Sequence, residues 1–557
     1  MHTTFSYDHY YLQDEIESNI KALSEKYPGI FSYEYLLETQ DKHHVIAVTL
    51  TNKATGAACD KPAFYIDGNT HAGEVTGMMA AMHTMDVLAT NYGSDERVTF
   101  ILDNMAVYII PCVSPDGSQT YLTTPYTLRS VNRPYYEHET GLEGEDIDGD
   151  GVIRMMRVPD KYGAWKKDPE KKDMMVRREP DDVIGEFFSI YTEGVMEEYD
   201  GLNVPVNKVK WGRDFNRNYP FGWFPEYRQP GAGEYPLSNP ENKAIVQFIL
   251  DHPNIGSVAT NHTSGGILLT VPGTYPEKKA PRADMKIMNA IGEMGTKATG
   301  YKHINIFDSF TVDQDNYSSG TFDDYCYETQ GIYAITLELW NLDERCGVKH
   351  FWEADPKVDT TVEDFEKRMA WINENAEDGD FISWKEFDHP QFGKVEIGGF
   401  NYKFTVQNPP RKFLTEECDK ITAFMLRWAA AMPRLVIDSF TVTKIGEDIF
   451  KAEAVLSNAG FLPTYLSENA KKLGTAKTVQ VSIDAEELIS CKQTQDIGDL
   501  SSYALCNTAE HFYGNISTLT SSPISKKVTW IFKGAKPEVT VTAWNQKAGK
   551  VCKTVKV

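Results

Sequence analysis

Positive charge is scarce in this chain. Lysine and arginine number 56 against 80 aspartates and glutamates, a formal charge of −24. That balance argues against nucleic acid and anionic membrane surfaces as partners. No apolar run approaches the ~20 residues needed to cross a bilayer. The opening Met1–Ala22 stretch also lacks the basic start and apolar core of a signal peptide. The eight cysteines are scattered, with no close metal-type pairing. They read as mostly reduced core residues, and a cytoplasmic location is the resulting expectation. There is no phosphate-binding glycine loop followed by Lys-Ser/Thr, and no strand-elbow context for a nucleophilic serine. Internal repeats and low-complexity linkers are missing too.

What is present is a long, aromatic-rich globular sequence. At 557 residues with 41% apolar content, two or three domains are expected. The periodicity predicts a helix over 9–27, stopped by Pro28-Gly29. Strands are expected around Phe31–Leu37, His44–Leu50 and Ala63–Ile66, and a small-residue helix from Val75 to Leu88. Val98–Leu102 and Ala106–Cys112 read as a hairpin or strand pair, with a turn at Val113–Gly117. Strand character returns at Gly256–Thr260, Ile267–Val271 and Tyr333–Leu339, and a helix is expected over Thr415–Met432. This alternation predicts a mixed α/β sheet with helices on both faces.

Past Pro433 the texture changes to short alternating runs separated by Gly, Asn and Pro turns, which predicts a small all-β sandwich. The expected division is a catalytic domain over 1–433, with an insertion at about 137–210, and a β-sandwich over 434–557. The sandwich carries no convergent catalytic set and reads as a structural or docking module whose partner is unknown. The stretch over 159–210 reads as a rim or lid.

The organising motif is Tyr65-Ile66-Asp67-Gly68-Asn69-Thr70-His71-Ala72-Gly73-Glu74, where an apolar strand hands over to a helix. Ligands of open α/β sheets gather at that edge. An imidazole and a carboxylate three residues apart can share one zinc ion, leaving room for a distant third ligand and a water. His262 follows a second strand. Glu338 lies inside a third, where an apolar residue is expected. Arg213-Asp214-Phe215-Asn216-Arg217 supplies cations. In the insertion, Asp146, Asp148 and Asp150 alternate before Gly151 and Ile153, like the calcium loop of an EF-hand, so Ca²⁺ is a possible second ion. The twelfth position, normally glutamate, is Arg157.

Taken together, His71-x-x-Glu74, the run Asp214–Asn218, Asn261-His262-Thr263-Ser264, Tyr317 followed by Ser318-x-Gly320, and Leu337-Glu338-Leu339 resemble the zinc metallocarboxypeptidase family that contains carboxypeptidases A and B. The resemblance covers roughly residues 8–432. It implies one Zn²⁺ per chain on His71, Glu74 and His262, and hydrolysis of C-terminal peptide bonds. Glu338 is then the general base, which later delivers a proton to the leaving amine. Asn216 and Arg217 grip the substrate's free carboxylate, Tyr317 closes over it, and Asp214 orients His71.

An Arg-x-x-Arg spacing makes Arg157 the expected oxyanion arginine, with Arg129 and Arg133 as its rivals. Gly73 stands where pancreatic relatives carry an arginine, which implies an altered subsite. A one-residue gap places Asp323 at the base of the specificity pocket, favouring Lys or Arg side chains, with Asp324 structural. The implied partner is a peptide with a free C-terminus. Alternatives on the same fold are a cell-wall peptide endopeptidase and an N-acyl amino-acid deacylase. A catalytically silent peptide-binding protein is more remote.

Overall fold

The computed structural model describes residues 1–130, 141–206, 212–349, 361–505, 523–534 and 536–557. A central eight-stranded sheet organises the chain. Its strands are β1 (Phe31–Glu38), β2 (His44–Leu50), β3 (Ala63–Gly68), β4 (Ala106–Ile110), β5 (Ile255–Thr263), β6 (Ile267–Thr270), β7 (Lys302–Asn305) and β8 (Tyr333–Leu339). They lie in the order β1-β2-β4-β3-β5-β8-β6-β7. The middle strands β4, β3, β5 and β8 run parallel. The flanking pairs β1–β2, β2–β4 and β8–β6 are antiparallel, so the sheet is mixed as expected.

Burial on both faces explains the composition of the middle strands: every residue of β3, β4 and β5 is buried. Helix α1 (Gln13–Lys26) buries Ile16, Ile20 and Leu23 at helical spacing. Helix α2 (Val75–Thr90) is buried over nearly its whole length, and its small residues let it press onto the sheet. A Cβ on Gly77 would sit 2.4 Å from the Asn261 carbonyl oxygen of β5. The same contact holds the end of the His262 strand against the helix that follows Glu74. Further helices are α3 (Arg282–Thr299), α4 (Phe322–Gln330) and α5 (Arg411–Ala429).

Two local expectations are corrected. Residues Glu96–Asn104 form a helix, not a strand: Asp95 caps it by accepting from Arg97 N and Val98 N, and Val98, Ile101 and Leu102 share its buried face. The Val113–Gly117 turn instead leads straight into a helix over Pro115–Thr123.

The charge-dense insertion is a sheet of its own. Met155–Pro159, Phe188–Thr192, Trp165–Lys167 and Met175–Arg177 are completed by the hairpin Phe381–His389/Gly393–Phe400 into six antiparallel strands. Met156, Val158, Val395 and Ile397 form its small core. Beyond residue 434 come two four-stranded antiparallel sheets, with a separate apolar core that includes Trp530, Phe532, Val481 and Val541. Leu462 and Leu466, however, belong to the core of the central sheet.

Of the seven described cysteines, Cys112, Cys326 and Cys418 are buried, Cys346 is intermediate, and Cys59, Cys491 and Cys552 are exposed. Core placement therefore holds for fewer than expected. Among the described residues no helix is long and apolar enough to cross a membrane.

Candidate metal centre and its surroundings

Parallel strands bring three side chains to one edge. Asn69 takes the left-handed conformation (φ 59°) just after β3, a turn that asparagine tolerates better than most residues. The chain then presents His71 and Glu74 before α2 begins. On β5, His262 is inside the strand rather than after it, and it pairs in register with Glu338 of β8. His71 Nδ1 is 2.8 Å from Glu74 Oε1, His262 Nδ1 is 2.7 Å from Glu74 Oε2, and the two Nδ1 atoms are 3.1 Å apart. All three residues are buried.

The donor set fits a zinc ion. Two imidazole nitrogens and both oxygens of one carboxylate converge, with a distinct partner for the far nitrogen of His71. That nitrogen, Nε2, is 3.0 Å from Asp214 Oδ1, which fixes the tautomer that leaves Nδ1 free to coordinate. Burial alone pushes Glu74 upward, but the facing His71 and His262 overcome it and hold the carboxyl well below the usual range. Asp214 behaves likewise: burial opposes ionisation, while Arg129 and His71 hold it well below its ordinary value.

Glu338 differs from both. It is partly exposed, and no hydrogen bond to its carboxylate is found among the described residues. Burial and the Glu74 charge push it up to about 7, against the pull of His262 and Arg129. A carboxyl poised near neutrality beside a metal cluster suits proton transfer.

Among the described residues the arginine hydrogen-bonded to the cluster is Arg129, and Arg157, against expectation, makes no such contact. Arg129 donates Nε to Asp214 Oδ2 at 2.8 Å and Nη1 to Glu74 Oε1 at 3.2 Å. Its backbone carbonyl accepts from Ala72 N at 2.7 Å, joining its loop to the His71 loop. Arg157 belongs to the insertion sheet. There it pairs with its cross-strand neighbour Glu396, donates to the Lys172 carbonyl, and lies over Trp384 and Phe188. Its Nε and Nη1 are thus engaged within the insertion sheet. Arg133 is outside the described residues.

Asn216 and Arg217 sit on a short turn begun by Asp214, which accepts from Asn216 N. Asn216 Oδ1 accepts from Phe322 N at 2.9 Å. Among the described residues, the Arg217 guanidinium makes one hydrogen bond, to the Asn216 carbonyl at 2.7 Å, so most of its donors remain available to an anion. Tyr317 is half-buried, its ring 5.4 Å from Phe224 and 6.4 Å from Phe307.

Asp323 is buried, accepting from Thr336 Oγ1 at 2.7 Å and from Asp324 N at 2.8 Å. Its charge acts on both Arg217 and Glu338. Asp324 accepts from Gly273 N at 2.9 Å, and burial with the neighbouring Asp323 charge raises it well above the carboxylate range. At Gly73 an added Cβ would meet Gln407 Nε2 and Tyr121 Cε2 at 2.9 Å. The 402–407 turn therefore fills the space that a side chain at position 73 would need.

The acidic loop is assembled differently from the expectation. Asp146 and Asp148 cluster with Glu193, not with Asp150, which is tied to Arg154 at 2.7 Å. Asp146 accepts from Gly149 N and Gly151 N, and Glu193 accepts from Ile147 N and Arg154 N. These carboxylates brace the loop backbone.

Comparison with known proteins places the chain in a family. The zinc carboxypeptidase family model matches residues 16–366, and the chain belongs to that family. A domain of unknown function matches 434–556. Mouse carboxypeptidase A1 is 24% identical over 352 residues, covering 60% of this chain and 63% of that protein. Mouse carboxypeptidase A4 is 25% identical over 338 residues, covering 60% and 63%. The chain thus spans less than two thirds of the length of these relatives. A solved structure of thrombin activatable fibrinolysis inhibitor is similar at 16% identity and TM-score 0.45, over 76% of this chain and 74% of that one.

Proposed function

We propose that this chain is a metallocarboxypeptidase: a zinc-dependent hydrolase that removes C-terminal residues from peptides with a free carboxylate, with one zinc per chain on His71, Glu74 and His262. The observation that carries the reading is the convergence of these three side chains beside Glu338, the register partner of His262. When bound, zinc supplies a Lewis acid that acidifies a water and polarises a carbonyl.

The remaining work falls to the chain's own residues. Arg217 and Asn216 receive the substrate's terminal carboxylate, for which a planar guanidinium with spare donors is suited. That anchor sets the scissile bond between the cluster and Glu338. Glu338 takes a proton from the attacking water and returns it to the departing amine. Arg129, oriented by Asp214, faces the negative charge that grows on the carbonyl oxygen. Tyr317 covers the bound residue and sheds water, with Phe224 and Phe307 backing its ring. Asp323 faces the bound side chain and favours lysine or arginine there.

We further propose that residues 1–433 form the catalytic unit, with the insertion sheet as its rim, and that 434–557 form a module attached to it. No observation favours calcium at the acidic loop over a purely structural role.

The test is purification without chelator, metal analysis by mass spectrometry, and incubation with tripeptides carrying free or amidated C-termini, with Glu338→Gln as control. One zinc per chain and loss of single C-terminal residues, absent in the control, is the expected result. Zinc without trimming would redirect the reading to cell-wall peptides or acylated amino acids, and absence of zinc would overturn it.

A further inference from the structure

Of the buried polar atoms with no hydrogen-bond partner among the described residues, Asp67 Oδ1, Thr260 Oγ1 and His262 Nε2 lie on one face of the sheet beside the cluster. Strand register explains why they lie together. Asp67 of β3 is paired with Thr260 of β5 in a parallel ladder. His262 is two residues further along β5, so it points to the same face. The three residues are 0%, 1% and 1% exposed. Buried polar atoms are almost always partnered, and each orphan is costly. Three orphans on one face call for a shared partner, and a single buried water has the donors and acceptors to serve all of them.

The chemistry of His262 points the same way. Its Nδ1 faces Glu74 and His71, so in the coordinating tautomer the proton resides on Nε2, and that N–H requires an acceptor. His71 meets the same requirement directly through Asp214. The other oxygen of Asp67 is held by Tyr65 Oη at 3.0 Å, which fixes the carboxylate in place. We propose that Asp67 is the positioning residue for His262, acting through one buried water that also touches Thr260. This rests on reading the cluster as a zinc site.

Asp67 differs from Asp214 in one respect that can be measured. Asp214 also holds Arg129, so changing it disturbs both metal and substrate groups. Asp67 is hydrogen-bonded to Tyr65, and the Thr260 hydroxyl and the His262 ring both favour its charged form against the effect of burial. Its loss should weaken the metal while leaving substrate affinity alone.

The experiment uses the full-length protein, stripped of metal and titrated with zinc against a chromogenic chelator. Asp67→Ala is expected to bind zinc about tenfold more weakly, with KM for a tripeptide unchanged. Asp67→Asn, which keeps an oxygen acceptor, should stay within a few-fold of wild type. Thr260→Val, which removes one corner of the bridge at nearly constant shape, should shift affinity in the same direction by less, and it serves if Asp67→Ala does not fold. In the cobalt-substituted protein, proton NMR should show two exchangeable, strongly shifted imidazole N–H signals, with Asp67→Ala hastening the exchange of one alone. Wild-type zinc affinity and two unaltered signals in Asp67→Ala would overturn the proposal. A wild-type protein that binds no zinc would instead overturn the metal-site reading beneath it.

Discussion

Arg129 donates its Nε to Asp214 Oδ2 at 2.8 Å, while the other oxygen of the same carboxylate meets His71 Nε2 at 3.0 Å. One buried anion thereby aligns a metal-ligand candidate and a guanidinium. If Arg129 is the group that faces the developing oxyanion, Arg129→Ala should lower kcat/KM by about 10²–10³-fold. Arg157→Ala should leave kcat/KM within a few-fold and act on stability, because it breaks the pair with Glu396 and the packing on Trp384. Steady-state kinetics and thermal melting of the two variants separate these outcomes. Equal catalytic losses would mean that the two arginines do not differ in role.

Glu338 carries a prediction in both activity and stability. Glu338→Gln should abolish turnover while retaining zinc, measured by product mass and metal content. In the metal-free protein the sign of the stability change follows from the raised pKa. Burial and the Glu74 charge raise Glu338 from its ordinary value of 4.5 to about 7, so the folded state holds this proton more tightly than the unfolded chain does. Below about pH 4.5 both states are protonated and no penalty arises. Between about 4.5 and 7 native stability falls as pH rises, and above about 7 the penalty is complete. Metal-free Glu338→Gln should therefore melt higher than metal-free wild type above pH 7, with the gap closing towards pH 5. A gap independent of pH would show that the substitution acts through packing alone.

Arg217 tests the substrate reading. Arg217→Ala should raise KM for free-carboxylate peptides by about 10²-fold, matching the loss of a charge-assisted bidentate pair. The same change should shift KM for C-terminal amides far less. Arg217→Lys should rescue little, since a lysine ammonium lacks the planar fork. Equal losses on acid and amide would place Arg217 outside carboxylate recognition.

How much of this was legible beforehand depended on sequence distance. His71, Glu74, His262 and Glu338 each sit on or beside a short apolar strand, and such strands declare themselves locally through composition. Once the strands are parallel neighbours, their edge residues must meet. Arg129 gave no such local cue. It follows the helix over Pro115–Thr123, and only the placement of β4 beside β3 returns its loop to the His71 edge. Chain order contained that clue, but the Arg-x-x-Arg spacing at Arg154 and Arg157 outweighed it.

The insertion sheet was hidden for a related reason. Met155–Gly398 pairing joins segments more than 200 residues apart, and the strands are short and half-exposed, so their alternation is weak. Val98–Leu102 is ambiguous in sequence because a short apolar run has no decisive period, and the Asp95 cap selects the helix. Past residue 434 the texture of short alternating runs predicts a β module without bounding each strand, and Glu487–Ser490 and Thr494–Gly498, poor in buried apolar residues, carry little local signal.

The join between the two regions gives the last prediction. Asp284 of α3 is buried and accepts from Glu468 N at 2.7 Å and Asn469 N at 3.0 Å, with Tyr327 Oη at 2.9 Å as a third donor. A carboxylate from the central-sheet region thus caps a helix, Glu468–Leu473, contributed by the chain beyond residue 434. Nearby, Asn469 Nδ2 donates to the Tyr327 carbonyl and Ser467 Oγ to the Gly331 carbonyl. Ala470 packs so closely on Gly331 that a Cβ there would come within 2.4 Å of it. Asp284→Ala strands two backbone donors in a buried place and should cost about 1–3 kcal/mol. Asp284→Asn, keeping one acceptor, should cost less. Gly331→Ala should also destabilise, since it adds a backbone penalty at φ 68° to the clash. Denaturant unfolding of the full chain measures all three. If the regions are braced as one cooperative unit, each variant should lower a single transition without splitting it. Two separable transitions in wild type, with only the later-chain one responding, would mean that the module past residue 434 unfolds on its own and that this clasp merely tethers it.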